Sequence, residues 1–571
     1  MKLKIINFLK LFSLFEMEQK NKFFILIFYM IIYSLLEIIS IGLLIPFVTI
    51  ILSPERVLDF QFINDLFFYE KFMEINLKVF FTLSFIATVL ISNMFRIFVV
   101  YKVGIFAKSI PLKLSIELYK NIITSKYKDF KKRNSSELIS LVTDKMDSLQ
   151  HVFTALLNAT ASLITSIGII AFLLFLNYKI AIICFVGGIL IYSIIGYAIK
   201  KTLNKNSIIL RYSSINRIKH VSETFGSIKQ IMLEHKENLL TEIFQHQEKN
   251  YRKAQFIHSF FNSSPRFVVE AFGIILISAI ILFLSVDLKG DGLLIIATVG
   301  VIAYAFQKLL PNFNTIYTFY VSFINYSSFV EEFVANFDSF ETNKIETKHT
   351  ENNKSIIFTD KIELNNISFK YNLNDKEIIK SKYIEIKKGS KVCFMGETGS
   401  GKSTCLDILM GLLKPTKGFI KIDGNLLTDE NIKVWQNKIS HVPQDIFLLD
   451  ATIRENIMFN FNQDNIDIEE IIESAKIAEI HDFINTLPEK YETKVGEKGA
   501  LLSGGQRQRI GIARAIYQKK EILTLDEATN ALDDKTEKKV LNNLNNLKGI
   551  TIIQITHGDI SNLNFDKIFN F

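Results

Sequence analysis

Six apolar runs, at residues 23–52, 78–104, 153–177, 180–199, 261–286 and 292–323, alternate with charged stretches in the first 330 or so positions of this 571-residue chain. Each reaches the roughly 20 residues that a helix needs to cross a hydrocarbon core of about 30 Å. Inside a bilayer an open strand edge leaves backbone groups unpaired, so runs of this length are predicted to form spanning helices. The first run carries Glu37 and Pro46 where a cleavable leader would need a small-residue site, and is expected to stay as an anchor. Composition agrees: 49% of residues are hydrophobic, with 50 Phe against only 8 Pro. Three scattered cysteines, Cys184, Cys393 and Cys405, supply neither a disulfide framework nor a metal site, and read as small buried apolar side chains. The net charge of +8 lies between the apolar runs rather than on one patch, which argues against nucleic acid as a partner.

The connecting segments set orientation. The start MKLKIINFLK and the stretches 108–145 and 200–253 are rich in Lys and Arg, whereas 53–77 holds more acids than bases and the connections at 178–179 and 287–291 are very short. By the positive-inside rule the basic segments are cytoplasmic, and so is everything after the last run. Two long cytoplasmic connections predict helices that continue beyond the membrane, with SETFGSIKQI (222–231) a candidate contact element. In segment 53–77, Leu58, Phe62, Leu66, Phe67 and Phe72 recur at helical spacing, which fits an amphipathic helix in the outer interface or a plain loop with incidental aromatics.

After a polar stretch, TNKIETKHTENNKS, the pattern changes to alternating strands, and the short apolar strand KVCFM runs into GETGSGKST at 396–404. Strand, glycine-rich loop and helix in that order form a phosphate cradle. Gly396, Gly399 and Gly401 let the backbone of the loop, with Glu397, Thr398, Ser400 and Thr404, wrap its N–H groups around phosphates. Lys402 adds charge at the β- and γ-phosphates, and Ser403 is placed to bind Mg²⁺. About a hundred residues on comes LSGGQ (502–506), then ILTLDE, whose Asp526 suits the magnesium and whose Glu527 suits a general base or water-orienting carboxylate.

With these motifs in order, residues 359–571 resemble the nucleotide-binding domain of an ABC transporter. The whole chain resembles a type I ABC exporter half-transporter. The implied fold is a membrane all-α six-helix transmembrane domain over 1–335, a linker over 336–358, and a cytoplasmic α/β P-loop ATPase domain over 359–571. The resemblance implies that Tyr371 stacks on the adenine of ATP, that Gln444 in HVPQD joins Ser403 and Asp526 at Mg²⁺, and that Gln444, Glu527 and the switch residue His557 act at the γ-phosphate. It further implies that Ser503, Gly504, Gly505 and Gln506 contact ATP held by a second copy, so a homodimer is expected. VGEKG (495–499) and FLLDATIRENI resemble exporter elements, and NALD (530–533) the D-loop. The pattern departs at Asn530, where Ser is usual, at Gly558 after the switch histidine, and in stopping at NFDKIFNF without the usual turn and helix.

Ionisable residues within apolar runs are candidates for cargo contacts, and Glu37, Arg96, Arg266, Glu270 and Lys308 are the innermost. At about 1.5 Å per residue, Arg96 lies roughly 27 Å and Lys308 roughly 24 Å from the outer ends of their helices, level with Arg266 near the inner leaflet. These cations either snorkel to headgroups, with Arg266 paired to Glu270 one turn on, or line a cavity for an anionic headgroup. SSPRFVVEAFGI (263–274), LEIISIGLLIPFVTI (36–50) and the segment 53–77 resemble the bacterial lipid-linked oligosaccharide flippases of N-glycosylation, the PglK type. That resemblance implies a polyprenyl-pyrophosphate oligosaccharide moved from the cytoplasmic to the periplasmic leaflet of the inner membrane, with Arg96, Arg266 and Lys308 at the pyrophosphate and Phe62 and Phe67 at the lipid tail. Thr315 stands near where another base would be expected. Another undecaprenyl-linked glycan, a peptide or drug, and a regulatory ATPase without cargo are the alternatives.

Overall fold

The computed structural model describes residues 10, 15–52, 77–176, 178–287, 292–342, 356–372, 376–459, 467–556 and 565–571. It divides into two units, residues 1–124 with 132–343, and 125–131 with 344–571.

The first unit is helical: α1 (Met17–Leu52), α2 (Leu77–Ile123), then after α3 (Tyr127–Lys131), which belongs to the second unit, α4 (Ser135–Val142), α5 (Asp144–Leu176), α6 (Tyr178–Gly226), α7 (Ile228–Leu233), α8 (Glu237–Ser263), α9 (Pro265–Asp287) and α10 (Gly292–Thr342). All six apolar runs fall on helices. Among the described residues five helical stretches are long and apolar enough to cross a membrane. With 47, 49 and 51 residues, α2, α6 and α10 are each roughly 70 Å long, more than twice the hydrocarbon thickness. They therefore project well beyond it, as the long basic connections predict. The segment 53–76, with its expected amphipathic helix, lies outside the described residues.

Within this unit α10 packs most extensively on α5, α1 on α2, and α8 on α6. Close approach depends on small residues: a Cβ at Gly273 of α9 would lie 2.1 Å from the Phe306 ring of α10, and one at Gly168 of α5 would lie 2.7 Å from Ile38 of α1. Leu26, Met30, Val99, Val103, Leu149, Phe333 and Phe337 form the main core. Beside it the fully buried Lys145 of α5 is 2.5 Å from Glu332 of α10, which Arg211 of α6 approaches at 3.4 Å. Removing one partner of a buried pair strands the other charge, which typically costs about 3–5 kcal/mol. Lys145→Met should accordingly lower the melting temperature of the purified protein clearly, whereas Lys10→Met, at a half-exposed pair with Asp338, should have almost no effect.

Of the linker expected at 336–358, residues 336–342 continue α10 and Ile356 and Phe358 are buried in the core of the second unit, while 343–355 lie outside the described residues. The second unit carries β1 (Lys361–Phe369), β2 (Ile379–Lys387), β3 (Lys391–Met395), α11 (Lys402–Leu409), β4 (Lys417–Ile422), β5 (Asn425–Leu426), α12 (Ile432–Gln436), β6 (Ile439–Val442), α13 (Ile453–Met458), α14 (Ile468–Ile477), α15 (His481–Thr486), α16 (Gly504–Tyr517), β7 (Ile522–Asp526), α17 (Asp534–Asn545), β8 (Thr551–Ile555) and β9 (Lys567–Asn570). An antiparallel sheet has the order β2-β1-β4-β5, and a parallel sheet the order β6-β7-β8-β3-β9. β7 and β8 are buried at nearly every position, as expected of central parallel strands covered on both faces. Cys393 and Cys405 are buried free thiols, matching their reading as small apolar side chains.

Candidate functional site

In open parallel sheets ligands bind beyond the carboxyl ends of the strands, and here four neighbouring strands deliver the motif residues to that edge. β6 leads to Gln444, β7 ends on Asp526 and Glu527, and β3 opens into the glycine-rich loop. β8, between β7 and β3, ends two residues before His557, which itself lies outside the described residues.

The loop has the shape its sequence demands. Gly399 and Gly401 have φ of +86° and +101°, conformations that disfavour any side chain. Lys402, the first residue of α11 and only 5% exposed, donates from Nζ to the carbonyls of Gly396 at 2.9 Å and Glu397 at 2.8 Å, so its ammonium is drawn back over the loop. Glu397 and Thr398 form the exposed tip, and the buried Ser400 hydroxyl has no hydrogen-bond partner among the described residues. A concave loop of N–H groups at a helix N-terminus, a poised ammonium and an unsatisfied hydroxyl together fit a nucleotide phosphate chain.

Ser403 donates its hydroxyl to Asp526 Oδ1 at 3.2 Å, which places the two expected Mg²⁺ ligands side by side. Burial raises the Asp526 carboxyl above the ordinary range while the Ser403 hydrogen bond opposes it, as expected of an acid awaiting a cation. Glu527 is held in the left-handed region at φ +51°, a strained setting for a non-glycine residue. Gln444 Nε2 donates to its Oε2 at 3.1 Å and Asn530 Nδ2 at 3.0 Å. Asn530 therefore has a definite job: the departure from Ser supplies an amide that holds the candidate catalytic carboxylate. Tyr371 is half-buried against Phe369, with its hydroxyl 3.4 Å from the Thr404 hydroxyl. Lys131 of α3, in the same unit, stands 5.4 Å from the centre of its ring.

Ser503 caps α16 in a reciprocal capping box with Gln506. A Cβ on Gly505 would lie 2.9 Å from the Ala531 carbonyl oxygen, and Gln508 Oε1 accepts from the Ala531 N–H at 2.9 Å. The signature motif is thus tied to the loop after Glu527. Sequence reasoning passed over Gln508, whose signal was its position two residues beyond the motif on the same helix.

Asp407, on α11, is pushed up to about 6 by burial, with Lys131 opposing and Asp526 adding to the rise. In the unfolded chain it titrates near 3.8, so the folded unit is penalised above about pH 6 and relieved as pH falls towards 4. Asp407→Asn should stabilise the protein by about 1–3 kcal/mol at pH 8. In thermal melts that advantage should shrink as pH drops through 6.

The chain matches two family descriptions, "ABC transporter transmembrane region" over residues 23–310 and "ABC transporter" over 379–530. It belongs to the ABC transporters. Its fold, a helical transmembrane domain followed by an α/β nucleotide-binding domain, is that of an ABC exporter: a solved structure titled as a bacterial Atm1-family ABC exporter with ATP bound aligns with a TM-score of 0.79 at 19% identity, over 97% of this chain and 93% of that one. The second unit is the ATPase domain of this ABC transporter. Multidrug resistance protein 4 of Entamoeba histolytica is 49% identical over 174 residues, 30% of this chain and 13% of that protein. Human ATP-binding cassette sub-family B member 5 is 45% identical over 173 residues, 30% and 14%. The chain thus spans about a seventh of the length of the curated relatives it matches.

The three cations expected at the cargo do not form one site. Lys308 is ion-paired with the buried Glu37 at 2.8 Å, and Arg96 is exposed on α2. Arg266 pairs with Glu270 at 2.6 Å, the pairing that their spacing invited. These two line a cavity of about 490 Å³ with Tyr192, Ile274, Phe306 and Gln307. Gln307 and Lys308 are adjacent in α10 and point to different neighbours, which separates Arg266 from the Lys308 cluster. Thr315 bonds back to the Pro311 carbonyl at 2.9 Å.

Proposed function

We propose that this ABC half-transporter works as a homodimer, using ATP and Mg²⁺ to flip a polyprenyl-pyrophosphate-linked oligosaccharide from the cytoplasmic to the periplasmic leaflet of the inner membrane, for protein N-glycosylation. The observation that carries this reading is the exposed Arg96, in no ion pair among the described residues and one turn from Ser92, which bonds the same Glu37 that holds Lys308. An intramembrane cation without a partner carboxylate suits an anionic headgroup that shares the bilayer, and a guanidinium bonds two phosphate oxygens at once. A second copy is expected because the resemblance to ABC exporters implies that Ser503, Gly504, Gly505 and Gln506 act on ATP held by the opposite subunit's phosphate loop. A flippase for another undecaprenyl-linked glycan would use the same headgroup chemistry.

A second reading, export of a drug or peptide, is favoured by the names of the relatives and by the largely apolar cavity beside Arg266, whose charge Glu270 already neutralises. The deciding experiment is ATP-dependent translocation of a labelled polyprenyl-pyrophosphate oligosaccharide in proteoliposomes containing this protein alone. Transport is expected, and Arg96→Ala should reduce it more than basal hydrolysis. Hydrolysis without lipid movement would reject the lipid-linked cargo.

A further inference from the structure

Three helices each carry a pair of polar residues one turn apart, Tyr33 and Glu37 on α1, Ser92 and Arg96 on α2, Tyr304 and Lys308 on α10, and Ser92 and Lys308 both meet Glu37. Glu37 is only 2% exposed. Its Oε1 is 2.8 Å from Lys308 Nζ, and its Oε2 accepts from the Ser92 hydroxyl at 2.7 Å. Lys308 Nζ lies 5.5 Å from the centre of the Tyr304 ring, and Glu37, Arg96 and Tyr304 are all within electrostatic reach of Tyr33.

Burying a carboxylate and an ammonium among spanning helices is expensive unless each satisfies the other. Glu37 and Lys308 do so, which leaves Arg96 as the surplus charge of the cluster. A phosphate anion drawn in by Arg96 is attracted by Lys308 and repelled by Glu37. Because the carboxylate repels a second anion at the same ammonium, the phosphate gains the full attraction of Lys308 by displacing Glu37. The pair ties α1 directly to α10, which also touch one another and share α5 as a neighbour. Exchange of one anion for another at Lys308 therefore breaks a direct polar link between α1 and α10.

We propose that Glu37 is the resident counter-anion of the translocation path, holding Lys308 until an anionic phosphate group takes its place, so that the α1–α10 ion pair is a cargo-sensitive latch and Glu37 a specificity-determining residue. This rests on the anionic-headgroup reading above, and the shared chemistry is a phosphate or pyrophosphate, lipid-linked or soluble. Like-charged or neutral cargo would leave the pair intact, so the latch selects for anions without needing a cavity shaped to the glycan.

The test uses the full-length protein in proteoliposomes of neutral lipid, with ATPase rate read against added undecaprenyl pyrophosphate or inorganic pyrophosphate. Glu37→Gln and the fold-sparing double variant Glu37→Gln with Lys308→Met should raise the basal rate about fivefold or more and remove stimulation by either anion. The exchanged pair, Glu37→Lys with Lys308→Glu, should bring the basal rate well below that of Glu37→Gln by re-forming the ion pair. Stimulation by undecaprenyl pyrophosphate alone assigns the lipid headgroup, and stimulation by both assigns a soluble anion as well. A double variant that melts like wild type and keeps wild-type basal and stimulated rates overturns the latch, as does an exchanged pair that stays fast. A wild-type protein insensitive to both anions overturns the anionic cargo, while the basal rates of the variants still decide the latch.

Discussion

Glu527→Gln is expected to lower the ATPase rate of the purified protein by about 10²- to 10⁴-fold while leaving ATP binding intact. The side chain sits where β7 ends, its backbone strained at φ +51°, with Gln444 and Asn530 both donating to Oε2. Glutamine keeps the shape and one oxygen able to accept those bonds, so the loop and the nucleotide cradle should survive. What it removes is the charge and the basicity at the point aimed beyond the strand edge, where the γ-phosphate and its attacking water belong. Hydrolysis and nucleotide retention measured on the same sample separate the two effects. Near-normal turnover would exclude Glu527 as the catalytic carboxylate and shift attention to a water held by Gln444 alone.

Lys402→Ala should weaken ATP binding by roughly ten- to a hundredfold, the worth of one charge-assisted hydrogen bond in a sheltered site. Lys402 is almost fully buried and its ammonium bridges the carbonyls of Gly396 and Glu397, so the lysine both charges the cradle and holds its rim. Losing it removes the attraction for the β- and γ-phosphates and frees the loop. Lys402→Arg should not rescue binding, because a planar fork cannot occupy the space between the two carbonyls and still reach a phosphate. Equilibrium binding of a fluorescent ATP analogue to the detergent-solubilised protein reads this directly. Wild-type affinity in Lys402→Ala would mean that the backbone N–H groups alone carry the phosphates.

The order of the phosphate loop, signature and carboxylate motifs was legible in the sequence because each depends on local chemistry. Glycines are needed where φ is positive, a lysine and a serine follow at the helix start, and an apolar strand ends in two acids. The spanning helices were legible for a comparable reason, since the bilayer demands some twenty apolar residues in a row. Charges within those helices were another matter. Spacing alone proposed Arg266 with Glu270, and the structure contains that pair. No spacing joins Glu37 to Lys308 or to Ser92, because 271 and 55 positions separate them and only the packing of α1, α2 and α10 brings them together. Likewise Asn530 read as a departure from the usual Ser until the turn after β7 showed its amide on Glu527.

By itself, then, the sequence determined the order of a helical membrane region and an α/β ATPase domain and marked candidate residues for the ATP site, whose chemistry is written within short stretches of chain. The tertiary structure alone decided which intramembrane charges neutralise one another, which cation is in no ion pair among the described residues, and how the candidate catalytic carboxylate is held. Those outcomes depend on side chains from distant helices and loops meeting in three dimensions, and in a low-dielectric interior the partner that arrives determines what each charge can do.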